Sequence, residues 1–161
     1  METVTDRRAS VTLPSDTEIL ITRQFDASPE LVYRAYTTPE LVSRWWVGQR
    51  GVMKSCEIDL RVGGKWRYVM EANAGFEVAF HGVYEEIVPD AKLVSSEVFE
   101  GMPDAESRSI ITFDGTGAGG TLLRVLVGHA TREHRDAHVA SGMEDGLQEA
   151  MDALEGLLRP A

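Results

Sequence analysis

Residues 21 to 40 constrain the fold more than any other stretch, because one strand and two capped helices are packed into them with no residue to spare. Ile19, Ile21, Arg23 and Phe25 alternate with Leu20, Thr22 and Gln24 at the two-residue period of a strand. Ser28 then Pro29 supplies a helix N-cap and a first-turn proline, and Thr38 then Pro39 repeats the device. Two short helices are therefore expected to follow one strand. Trp45, Trp46, Val47 and Gly48 close the second helix with paired indoles, each bringing large apolar area and one N–H donor.

Beyond the tryptophans the chain reads as strands and tight turns. Residues 52 to 60 form one strand, and Arg61, Val62, Gly63 and Gly64 turn it into Lys65 to Met70. Glu71 to Gly75 makes a second turn, and Phe76 to Val88 is long enough for a strongly curved strand ending at Pro89 and Asp90. Lys92 to Phe99, Ser107 to Phe113 and Thr121 to Val127 complete seven antiparallel strands in meander order, the last two joined by the glycine-rich turn Asp114 to Gly120. From Thr131 the period becomes helical. Val139, Met143, Leu147, Ala150, Leu154 and Leu157 or Leu158 form one apolar stripe, which predicts a single long helix over roughly residues 131 to 158. Residues 1 to 16 are polar and are expected to be a flexible tail, leaving residues 17 to 158 as one domain.

This chain resembles the activator of heat-shock protein 90 ATPase homologue-like family of the START-like (SRPBCC) superfamily. The resemblance is carried by Ile21 to Glu40, by Asp59 to Trp66, and by His81, Gly82, Val83 and Tyr84. It continues through Glu97 after Ser95 and Ser96, through Arg135, Asp136 and Ala137, and through Ser141 to Gly146. It implies an α+β helix-grip fold: a curved seven-stranded antiparallel sheet, two short helices after strand 1, and a long C-terminal helix that encloses a space against the sheet.

Composition sets the outer limits. A chain of 161 residues, 43% of them hydrophobic, has the length of one domain able to bury one core and a ligand-sized cavity. A net charge of -10 argues against nucleic acid or an anionic membrane surface as partner, since both require clustered Lys and Arg. Cys56 is the single cysteine, so no internal disulfide forms and a cytoplasmic location is expected. No run of apolar residues is long enough to span a membrane, and Arg7 with Arg8 lacks the apolar stretch of a secretory signal.

Several residues are candidates for chemistry. Gly142 and Gly146 stand one helical turn apart beside the apolar stripe, where a glycine costs roughly 0.5 to 1 kcal/mol relative to alanine. They make room either for a ligand or for close packing on the sheet. Trp66 and Tyr68 share one strand face, as do Phe80 and Tyr84 on the next, so these rings line either the core or a ligand site; Trp45 and Met143 join them as expected lining. A hairpin turning at Pro89 and Asp90 brings His81 and Glu97 opposite or nearly so, where a carboxylate would fix the tautomer of an imidazole and raise its basicity. The same alternation also allows a solvated pair on the convex face.

Other chemistry finds little support. His134 and His138 have the spacing of two metal ligands, but no third ligand is placed by sequence, and neither a metal nor a cofactor is expected. Cys56 has no nearby histidine in sequence, and no nucleophile elbow occurs. The glycines from Gly115 to Gly120 join two strands, so no helix N-terminus is available to hold phosphate.

Three functions follow. The first is a binding protein for a small apolar or aromatic molecule held between sheet and C-terminal helix, with a homodimer allowed. The second, implied by the superfamily, is a cyclase, dehydratase or lyase in which His81 and Glu97 move a proton; the residues lean against turnover without deciding it. The third is a chaperone partner that stimulates an ATPase. It is disfavoured, because the eukaryotic activators of the family use a separate N-terminal domain for major chaperone contacts and residues 1 to 16 cannot replace one.

Overall fold

The computed structural model describes residues 8–159. Eight antiparallel strands form one unclosed sheet: β1 (Ser10–Thr12), β2 (Glu18–Phe25), β3 (Gly51–Ile58), β4 (Lys65–Ala72), β5 (Glu77–Val88), β6 (Lys92–Phe99), β7 (Ser107–Gly115) and β8 (Thr121–His129). Their spatial order is β1, β2, β8, β7, β6, β5, β4, β3. Among the described residues four helices lie outside the sheet: α1 (Pro29–Thr37), α2 (Pro39–Trp45), α3 (Arg132–Ala140) and α4 (Met143–Leu158).

The helix signals near the N-terminus operate unequally. Ser28 caps α1, its side chain accepting from the Leu31 N–H, with Pro29 at the start of the helix. Thr38 occupies the cap position of α2 but makes no side-chain cap bond, and its own N–H instead ends α1 on the Arg34 carbonyl. The two helices are thus joined without a loop.

Two expectations are corrected. The strand count is eight rather than seven, because Ser10–Thr12, inside the stretch expected to be a tail, pairs with β2 through Val11 opposite Ile21. Ala9 is held as well: its N–H donates to the Gln148 side chain at 2.9 Å, and the Gln148 amide donates back to its carbonyl at 2.8 Å. Residues 1–7 of the expected tail lie outside the described residues. The predicted single C-terminal helix is two helices. Ser141 ends α3, and Gly142 adopts φ +83°, the left-handed region that glycine enters without steric cost. This break turns α3 away from the apolar stripe, so Val139, expected at its start, is exposed.

The core sits on the concave face of the sheet. Ile19 and Phe25 from β2, Val32 from α1, Leu123 from β8 and Leu154 from α4 are almost wholly buried there. Arg23 shares their strand face and is buried as well, its guanidinium reaching Asp152 at 3.1 Å and Glu155 at 3.3 Å on α4 and lying 5.1 Å from the Phe25 ring centre. It fixes α4 over β2. Along its length the backbone of α4 comes near α2, α3 and α1.

Candidate functional site in the concave face

Strand register decides which side chains meet. Trp66 lies opposite Gly82, and Tyr68 lies opposite Phe80 on one side and Cys56 on the other. Phe80 in turn faces Phe99, and Tyr84 faces Ser95. Because side chains alternate along a strand, Trp66, Tyr68, Phe80, Tyr84 and Glu97 all project from the concave face. An aromatic wall results. The Trp66 and Tyr68 rings are 4.7 Å apart, and Trp46 packs its edge on Tyr68 at 5.2 Å and on Phe80 at 5.1 Å.

Trp46, not Trp45, is the indole in this wall. Adjacent residues on a helix point about 100° apart, so only one of the pair can face the site. Trp45 is buried in the core, where its N–H donates to the Ala35 carbonyl at 2.9 Å and its ring packs on Tyr36. The tandem in the sequence was the signal for Trp46, but it does not say which indole turns which way.

The wall carries polar groups that the protein does not satisfy. Trp66 is buried, and its N–H has no hydrogen-bond partner among the described residues. Among the described residues, no hydrogen bond or ion pair reaches the Glu97 carboxyl or the hydroxyls of Tyr68 and Tyr84. Desolvation pushes the Glu97 carboxyl up to about 6. Burial also raises both phenols, reinforced at Tyr68 by Tyr84, Cys56, Glu97 and Tyr36, and at Tyr84 by Cys56 and Tyr33. The Cys56 thiol is pushed up to about 11, chiefly by burial, so it is no ready nucleophile.

His81 does not belong to this group. It lies opposite Val98 on β6 and Arg67 on β4, on the convex face. There its Nδ1 is 2.9 Å from Glu100, which also accepts two hydrogen bonds from Arg67, and these partners hold the Glu100 carboxyl down at about 2. The structure therefore separates His81 from Glu97 by the thickness of the sheet. The cause is a bulge between Tyr84 and Glu86, which shifts the pairing by one residue and exchanges the faces of everything before it on β5.

The two glycines also part company. Gly142 is exposed and makes the turn between α3 and α4. Gly146 lies within α4, and a Cβ built there meets no heavy atom within 4 Å. One turn further along the same flank, Gly48 approaches the backbone of Glu149 and Ala150, so this flank faces the loop that carries Trp46. Met143, at the first turn of α4, packs its half-buried side chain against the core.

Of the two histidines of α3, His138 pairs with β8. His138 Nδ1 is 3.0 Å from His129 Nε2, and burial lowers both, His129 to about 4 with help from His138, His134 and Arg135. Among the described residues no group of three or more His, Cys, Asp or Glu is placed to hold a metal. Arg135 instead ties the start of α3 to the β1–β2 connection, donating to the Ser15 carbonyl at 2.7 Å.

Residues 26–159 match the family described as Activator of Hsp90 ATPase homolog 1-like protein. The chain belongs to this family. No functionally curated protein matches it. Among solved structures it is similar to a Rhodobacter sphaeroides protein, with 29% identity, a TM-score of 0.86, and 93% of this chain and 97% of that one covered. A Chromobacterium violaceum protein is 27% identical with a TM-score of 0.77, covering 91% of this chain and 100% of that one. A Mycobacterium smegmatis protein at 21% identity and a TM-score of 0.84, with 94% and 97% covered, shares the fold. As a member of the Activator of Hsp90 ATPase homolog 1-like family, the chain has the α+β helix-grip architecture, with an additional short strand at the sheet edge. No helix among its described residues is long and apolar enough to cross a membrane.

Proposed function

We propose that this protein binds a small apolar or aromatic molecule between the sheet and α4. The observation that carries the reading is the incomplete cover over two side chains of the central strands. Ile111 on β7 and Val125 on β8 lie on the concave face of central strands, yet both remain only half-buried. A helix seated directly on the sheet would have covered them as completely as Leu123 on β8 is covered. The aromatic wall of Trp46, Trp66, Tyr68 and Phe80 supports the same reading, since such walls combine apolar area with a few placed polar groups. The single cysteine remains the basis for placing this activity in the cytoplasm.

Titration with Nile red, a neutral apolar fluorophore, tests the reading together with Gly146→Leu. Saturable binding at one site per chain is expected for the native protein. Because the space at Gly146 is open, the leucine gains contact and helix propensity. Gly146→Leu should therefore hold or raise the melting temperature of the unliganded protein while dye binding is lost. A melting temperature lowered by overpacking, at a cost of roughly 1 to 3 kcal/mol, would show instead that α4 is close-packed there.

A further inference from the structure

A second recess in the molecule is lined by helices alone. α1 and α2 meet at Thr38 without a loop and form a fork, and the last turn of α4 closes its open side. The groove left between the three helices has a volume of about 290 Å³. Its apolar surface comes from Leu31 on α1, Leu41 on α2, and Leu157 and Leu158 on α4. The core covers these leucines only in part: Leu154, one turn earlier on α4, is wholly buried, whereas Leu157 and Leu158 are half-buried and Leu31 is 47% exposed.

Arg34 and Arg44 line the same groove. Arg34 follows Leu31 by three residues on α1 and Arg44 follows Leu41 by three on α2, so each arginine shares a helix face with the leucine before it. Both are exposed, and among the described residues neither side chain has a hydrogen bond or an ion pair. All the other described arginines have a partner, from Arg23 and Arg50 to Arg135 and Arg159. On a chain with 26 acidic against 16 basic side chains, an arginine without a carboxylate is unexpected. Acids even stand at the right spacing: Glu30 and Glu40 each lie one helical turn before the arginine, and no pair forms. The last turns of α1 and α2 favour a cation through the helix dipole, which accounts for a basic residue at each place. It does not account for both lining one apolar groove.

We propose that this groove binds a free alkyl carboxylate, its chain on Leu31, Leu41, Leu157 and Leu158 and its head on Arg34 and Arg44. A guanidinium fork matches a carboxylate bidentately, and about 290 Å³, at the small end of ligand pockets, suits one short chain. The net charge of -10 opposes an anionic membrane as the source of that head and leaves a dissolved anion, drawn in by two local cations. The groove shares no residue with the site between the sheet and α4, so the two readings stand or fall separately.

Octanoate, octanol and octylammonium, titrated at pH 7.5 and followed by the amide resonances of isotope-labelled protein, decide the matter. Octanoate should shift the amides of Leu41 and Leu157 saturably and leave those of Ile111 and Val125 unmoved. Octanol should bind there about tenfold more weakly, and octylammonium more weakly still. Arg34→Gln and Arg44→Gln should each lower the affinity for octanoate roughly three- to tenfold while that for octanol is unchanged. On the native protein, raising the salt from about 0.05 to about 0.5 M should weaken octanoate several-fold and octanol not at all. Equal binding of octanoate and octanol overturns the proposal, as does failure of octanoate to bind. Octanoate shifts confined to Ile111 and Val125 overturn it too, since they would place the anion under α4 instead. Shifts at Leu41 and Leu157 that follow protein concentration alone, or that need vesicles of phosphatidylglycerol, would give the groove to a second copy or to a membrane and likewise end the proposal.

Discussion

Over β2 and β8 the sheet and the helices close on each other, while over β4, β5 and β6 they do not. On the closed side Ile19, Phe25, Leu123 and Leu154 leave almost no accessible surface, and the single charged group among them, Arg23, has two carboxylates on α4. On the open side the side chains are larger and more polar, several are only half-buried, and the Trp66 N–H has no hydrogen-bond partner among the described residues. One sheet thus carries a core that is almost fully closed beside a surface left partly open. A sheet packed only for stability would have no reason for the second.

Substitutions on the two sides should separate these roles. The largest effect is expected at Leu123→Ala, which removes wholly buried methyl groups from the closed side and should cost about 3 to 5 kcal/mol in urea unfolding. Phe80→Ala, on the half-buried open side, should cost less than ~2 kcal/mol although it removes a larger group. An equal cost at the two positions would erase the contrast. Next comes Arg23→Ala, at about 2 to 3 kcal/mol, because it removes a buried guanidinium that pairs with Asp152 and Glu155 and packs on the Phe25 ring.

The smallest effect has the opposite sign. Burial raises the Glu97 carboxyl from 4.5 in the unfolded chain to about 6 in the fold. Above pH 6 the folded protein therefore carries a desolvated charge that the unfolded chain solvates freely. As pH falls from 6 toward 4.5 the folded form takes up its proton first and stability is regained. Glu97→Gln should accordingly stabilise by about 1 to 2 kcal/mol at pH 7.5 and by nothing measurable at pH 4.5. A gain of the same size at both values would mean that the charge of Glu97 is not what costs stability.

The difference between the two sides was only partly legible in the sequence. The alternation through Ile19, Ile21, Arg23 and Phe25 marks the closed side, because a two-residue period and a capping Ser28 are local signals. The aromatic positions Trp66, Tyr68, Phe80 and Tyr84 were legible for the same reason. The pairing of His81 with Glu97 was not. An unbroken hairpin from Pro89 and Asp90 would have put them on one face, and the single-residue bulge before Glu86 leaves no mark in composition that fixes its place. The break in the last helix had a signal in Ser141 and Gly142, a helix-ending pair, but the apolar stripe on either side of it concealed the interruption. Trp46 could be told from Trp45 only through the partner that each indole finds in space.

Neighbouring residues of α4 reach to opposite sides. Gln148 holds the Ala9 backbone beside β1, and Glu149 accepts from the Arg50 guanidinium and the Gln49 N–H beside β3. The helix is tethered on both flanks at one level, while the turns before that level begin at a glycine with no side-chain cap. Amide hydrogen exchange along α4 should then be lopsided: protons of residues 147 and earlier should be replaced by deuterium well before those of Met151 and Leu154. The end of the helix next to Gly146 would open many times for each opening of the whole, which gives a guest a way in that leaves the rest of the protein folded.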